Sequence, residues 1–146
     1  MSIFRRASER RGTAADYLIV GLGNPGDRYS GTRHNLGSEV VENMAARSNL
    51  SLRRSRNERA FVAKGTLEKK QIVLACPETF MNLSGESVRL LVKRYGIDQP
   101  AKIIIAHDEL DLNPGRLKLK CGGSTAGHNG LKSIVQHLGD DDFVRV

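Results

Sequence analysis

At 146 residues the chain has the size of one domain, enough to bury about two-thirds of the surface its unfolded form would expose, so no disulfide framework or structural zinc is required to hold it. Its two cysteines, Cys76 and Cys121, form no CxxC pair, and no apolar run reaches the ~18 residues of a membrane span. These features exclude a disulfide scaffold and a helical membrane protein, and the net charge of +7 points to a polyanionic partner.

The first sixteen residues carry Arg5, Arg6, Arg10 and Arg11 against Glu9 and Asp16. They show no apolar periodicity and are expected to be a disordered basic extension, for which a basic arm, an organellar presequence or a solvated end without function all stay open. The rest of the chain keeps +5, so the folded part is basic by itself. Tyr17 to Val20 is continuously apolar and reads as a central strand buried on both faces.

That strand opens into Gly21-Leu-Gly-Asn-Pro-Gly26, which fits the G-x-G-x-x-G dinucleotide fingerprint literally. The fingerprint also needs a helix that begins inside the glycine run and an acid about 20 residues on, at the tip of the next strand. Here the first apolar helical stripe starts at Leu36 and continues through Val40, Val41 and Met44, and the acid at that distance, Glu42, falls within the helix. A nucleotide cofactor is therefore set aside, and no cofactor is expected.

The helix from Leu36 runs to about Arg47, and Leu50 to Arg59 reads as a linker or exposed edge. Ala60 to Leu67 and Gln71 to Cys76 form a hairpin around Glu68-Lys69-Lys70. Thr79-Phe-Met-Asn-Leu-Ser-Gly85 leads into a helix with Val88, Leu91, Val92 and Tyr95 on one face, closed by Gly96. Lys102 to Ala106 is a second buried strand discharging into His107-Asp-Glu-Leu-Asp111, and Arg116 to Cys121 alternates basic with apolar residues. Gly122 to Gly130 reads as a flexible connection to a last helix, with Leu131, Ile134, Val135 and Leu138 on one side and Gly139 behind it. Alternating strand and helix patterns make the class α/β. Phe143 to Val146 looks like a strand beginning, so the chain is expected to be the amino-terminal part of something longer, with marginal stability.

In open α/β sheets, ligands bind outside the carboxyl ends of strands. Both buried strands release polar residues there, Asn24 to His34 from one and His107 to Asp111 from the other. His34 is the candidate base, because its unperturbed pKa lies near neutrality, and Asp108 is the carboxylate best placed to orient it. A capping or surface histidine is the commoner reading of such a pattern taken alone. Asn24, Asn82 and Asn129 are individually ordinary turn or cap residues; together, at three loop ends, they offer amide donors to a carbonyl or developing oxyanion. No serine or cysteine stands in a nucleophile-elbow context, which favours attack by a His-activated water. No metal-ligand spacing is present around His107.

Gly21 to Gly26 with Thr32-Arg-His-Asn35, Thr79 to Gly85, His107 to Asp111 and Gly122 to Leu131 occur in an order that closely resembles bacterial-type peptidyl-tRNA hydrolases. The resemblance covers Tyr17 to the end. It implies a single α/β domain over 17–146, built on a central, mostly parallel mixed twisted sheet flanked by helices. It also implies cleavage of the ester joining a peptide to the 3′-terminal ribose of tRNA, in the cytoplasm, by a monomer needing neither metal nor membrane. By motif, His34 matches the base and Asp108 its orienting carboxylate, while Asn24, Met81, Asn82 and Asn129 match residues lining the site. Tyr29 matches an aromatic near the substrate's 3′ end, and Lys120 one half of a clamp on the tRNA 5′-phosphate, whose arginine partner is expected just past Val146. The competing readings are a relative that binds RNA, as in splicing, without hydrolysing it, and an inactive truncated form.

Overall fold

The computed structural model describes residues 14–23, 36–107, 120–121 and 128–145, with only the backbone of 120–121. Seven strands form one mixed sheet: β1 (Tyr17–Gly21), β2 (Arg53–Ser55), β3 (Ala60–Leu67), β4 (Lys70–Pro77), β5 (Ile103–Ala106), β6 (Lys120–Cys121) and β7 (Val144–Arg145). Their spatial order is β2-β3-β4-β1-β5-β7-β6, which puts β1 at the centre. The four strands β4, β1, β5 and β7 run parallel, and antiparallel pairings complete both edges.

The strands follow from their side chains. Leu18 and Val20 of β1 enter the larger core with Ile103 and Ile105, while Ile19 packs with Leu74 on the other face. Both faces are apolar because both are covered by helices, as a parallel sheet requires. The β3–β4 hairpin turns where the sequence places it, with Glu68 and Lys69 both at positive φ, 48° and 66°. The reading of 50–59 as linker or edge resolves into the three-residue edge strand β2, whose Arg53 pairs with Val62.

Three helices among the described residues cover the sheet: α1 (Leu36–Arg47), α2 (Ser84–Tyr95) and α3 (Asn129–Leu138). Helices α2 and α3 share one face, where Val88, Leu91, Val92, Leu131, Ile134 and Leu138 meet the strands. Their axes approach closely because Gly85 has no side chain: its N–H donates to Ser133 Oγ at 2.8 Å. Both end on a left-handed glycine, Gly96 at φ 66° and Gly139 at φ 70°, as their positions behind the apolar stripes predict.

Helix α1 covers the other face, and here the structure corrects the sequence reading. The buried stripe is Gly37, Val41 and Ala45, while Leu36 and Val40 stay 45% and 42% exposed. The small side of the helix faces the sheet because backbone contact at Gly37 outweighs burial of two larger side chains. No helix of the described residues is long and apolar enough to cross a membrane. Phe143, fully buried, brings the chain into β7, which pairs parallel with β5 and antiparallel with β6.

A candidate active site at the carboxyl ends of β1 and β5

The central strands β1 and β5 end side by side, with Gly21 opposite Ala106 and the Leu22 N–H donating to the Ala106 carbonyl at 2.9 Å. The Leu22 carbonyl in turn accepts from Ser38 N at 3.1 Å, so the start of α1 is tied to the same spot. Asn24 lies two residues beyond Leu22, and Asp108 one beyond His107.

From the α2 side the chain arrives as a single 3₁₀ turn, Met81–Leu83, running directly into the helix. The Ser84 hydroxyl donates to the Met81 carbonyl at 2.7 Å, which holds this turn in place of a conventional cap. Met81 is buried, Asn82 beside it is exposed, and Phe80 is 62% exposed. The sequence reading of Met81 and Asn82 as the entry to the helix is thus met by a more ordered element than a loop.

From the other flank comes α3. It starts at Asn129, two residues before its apolar stripe, and its N-cap is His128, whose Nδ1 accepts from Gly130 N at 3.1 Å and Leu131 N at 3.3 Å. The ring packs edge-on against His107, with centroids 5.1 Å apart and planes 72° apart. A β-carbon on Gly130 would lie 2.7 Å from Met81 Sδ, 2.8 Å from Leu22 Cδ1 and 3.0 Å from His128 Cε1. Four segments therefore meet at one point: the end of β1, the 3₁₀ turn, the end of β5 and the first turn of α3.

Of the residues picked from the sequence, Met81, Asn82 and Asn129 are gathered here. Lys120 belongs to β6 at the sheet's edge, directly opposite Arg145 in the antiparallel pairing. Asn24, Tyr29, His34 and Asp108 lie outside the described residues. Two residues went unread in the sequence. His128 was absorbed into a glycine-rich connection because histidine is not among the usual N-cap types. Arg145, 3% exposed with its guanidinium carbon 4.8 Å from the Phe143 ring centroid, gave no signal beyond its charge.

Comparison with known proteins identifies the family and the fold. The sequence model of the peptidyl-tRNA hydrolase family matches residues 18–146. The chain belongs to that family. It is 48% identical over 133 residues to the peptidyl-tRNA hydrolase of Mycobacterium sp. (strain KMS), covering 91% of this chain and 69% of the relative. It is 46% identical over 129 residues to that of Clostridium perfringens (strain 13 / Type A), covering 88% and 68%. The crystal structure of the peptidyl-tRNA hydrolase from Acinetobacter baumannii superposes with a TM-score of 0.85 at 43% identity, covering 93% of this chain and 68% of that one. The chain thus spans about two-thirds of the length of these relatives. The peptidyl-tRNA hydrolase fold accounts for the mixed sheet with helices on both faces, and the four segments that meet at Gly130 fall one in each of the four sequence blocks that carried the resemblance.

Proposed function

We propose that this chain hydrolyses the ester between a peptide and the 3′-terminal ribose of tRNA, with His34 as general base. The imidazole takes a proton from water as its oxygen attacks the ester carbonyl. The proton is then returned to the ribose oxygen as the C–O bond breaks, leaving a peptide carboxylate and a free tRNA 3′ end. Asp108 orients the ring and stabilises the imidazolium, a division of labour in which the base contributes roughly 10²–10⁴-fold. Asn24, Asn82 and Asn129 donate to the carbonyl or hold the water, Met81 lines the site, Tyr29 meets the 3′ end, and Lys120 meets the 5′-phosphate.

The observation that carries this reading, beside family membership, is the convergence at Gly130. Asn82 directly follows Met81, Asn129 directly follows His128, and the chain leaves Leu22 and His107 towards Asn24 and Asp108. Segments more than 100 positions apart thereby meet in one small region, which supports an arrangement in which donors and carboxylate act on one substrate.

The test is to incubate the purified chain with peptidyl-tRNA carrying a labelled peptide. Release of peptide far above the spontaneous rate is expected. Retardation of the RNA on a gel with no release would overturn hydrolysis in favour of an RNA-binding role.

A further inference from the structure

We propose that His128 is a positioning residue for the hydrolytic site: its ring caps α3 through Nδ1 and packs edge-on against His107, holding Asn129 at a set distance from the end of β5. The inference rests on the functional reading above and adds to it a residue whose work is done through its neighbours.

The cap fixes the ring's chemistry. Two backbone N–H groups point at one nitrogen, so Nδ1 presents a lone pair and the ring proton sits on Nε2. The His128 backbone, at φ −69° and ψ 119°, is extended as an N-cap should be, and its carbonyl accepts the first helical bond, from Lys132 N at 3.0 Å. Serine, asparagine or aspartate would do this much. None of them extends past the cap to meet another element, whereas the imidazole reaches His107 in an edge-to-face contact. One side chain therefore ties the helix that begins with Asn129 to the strand end that leads to Asp108.

The fit leaves little freedom. With no room for a β-carbon on Gly130, the first turn of α3 is wedged between Met81, Leu22 and the His128 ring. Rotation of the ring out of the cap would release two amide donors and open this wedge, moving Asn129 relative to Met81 and Asn82. Displacements of about 1 Å at such positions are enough to slow a reaction that depends on alignment, by up to ~10²-fold.

The experiment compares the 146-residue chain with its His128→Ala, His128→Asn and His128→Gln variants. It measures peptidyl-tRNA hydrolysis and amide exchange at Gly130 and Leu131. Asparagine restores an acceptor at capping distance; glutamine keeps the amide but sets it one bond too far. The alanine and glutamine variants are expected to lose about tenfold in kcat with KM changed less than about twofold, and to exchange Gly130 and Leu131 faster. Asparagine should recover much of kcat and the protection. Should alanine fail to fold, the asparagine–glutamine pair carries the same contrast. If asparagine restores protection but is as slow as glutamine, the cap does not govern the rate and the positioning role of His128 through it is overturned. Full activity in His128→Gln would overturn it too, while an inactive wild-type chain would instead overturn the functional reading beneath it.

Discussion

Gly21, the last residue of β1, and Gly37, in the first turn of α1, meet backbone to backbone. A β-carbon on Gly21 would fall well inside van der Waals contact distance of the Gly37 carbonyl oxygen, and one on Gly37 well inside that of the Ala106 carbonyl oxygen and 2.8 Å from Leu22 N. Helix α1 is thus seated on the ends of both central strands, two residues after His34 and beside the point where β1 and β5 turn polar.

The sign of one substitution tests this contact. Gly→Ala within a helix ordinarily gains about 1 kcal/mol. At Gly37 the methyl would meet backbone that cannot move aside, so Gly37→Ala should instead lose about 3 kcal/mol, read as a lower denaturation midpoint. A stabilised variant would show that α1 can lift away without cost.

What could be read from the residues divides along physical lines. β1, the hairpin and the glycine ends of α2 and α3 came through because apolar runs and left-handed glycines are local signals. β2 did not, since Arg53-Arg-Ser55 has no alternation of its own and is a strand only because β3 offers it an edge. The phase of α1 was misread because Gly37 contributes no hydrophobic signal, although it makes the closest approach to the sheet. The 3₁₀ turn at Met81 is too short to show a period, and the histidine cap replaces the residue types that normally mark a helix start. In the site, motifs proposed which residues act, and periodicity could place none of them relative to another. The gathering of Met81, Asn82 and Asn129 depends on contacts between segments about 50 residues apart.

The assignment of His34 and Asp108 as a unit has a kinetic signature. His34→Ala should cost roughly 10²–10⁴-fold in kcat/KM, and Asp108→Ala less, because water or a neighbour can partly orient the ring. Once the base is gone the carboxylate has nothing to orient, so the double variant should be no slower than His34→Ala alone. Additive losses would argue that the two residues act separately.

Lys120 stands opposite Arg145 across the β6–β7 pair, so two cationic residues occupy adjacent positions at one edge of the sheet. Each phosphate that a cation neutralises releases counterions from the RNA. Binding of tRNA should therefore weaken with salt, and Lys120→Ala should flatten the log–log slope by about one, the value for one phosphate contact. It should also reduce the preference for tRNA bearing a 5′-phosphate. An unchanged slope in the variant would remove Lys120 from the phosphate contact.

Cys76 makes a prediction about alkaline stability. It is 6% exposed in β4, with Sγ 3.8 Å from the Ser38 carbonyl, and its thiol is pushed up from the usual value of 9.0 to about 12, first by burial and then by the nearby Glu42 carboxylate. In the unfolded chain the same thiol ionises near 9. Below that pH both states hold the proton and stability is unaffected. Above it, the unfolded state releases a proton that the folded state retains, so unfolding becomes easier by up to about 1.4 kcal/mol per pH unit until the folded thiol ionises near 12. The informative quantity is the difference between the wild-type chain and Cys76→Ala, in which every titration common to both cancels. The variant should be less stable at pH 7 through lost packing, and that gap should narrow steadily above pH 9 as the wild-type chain alone bears the thiol penalty. A gap that stayed constant from pH 8 to 10.5 in denaturant titrations would mean that the Cys76 thiol ionises as readily folded as unfolded, and that the space between α1 and β4 is open to water.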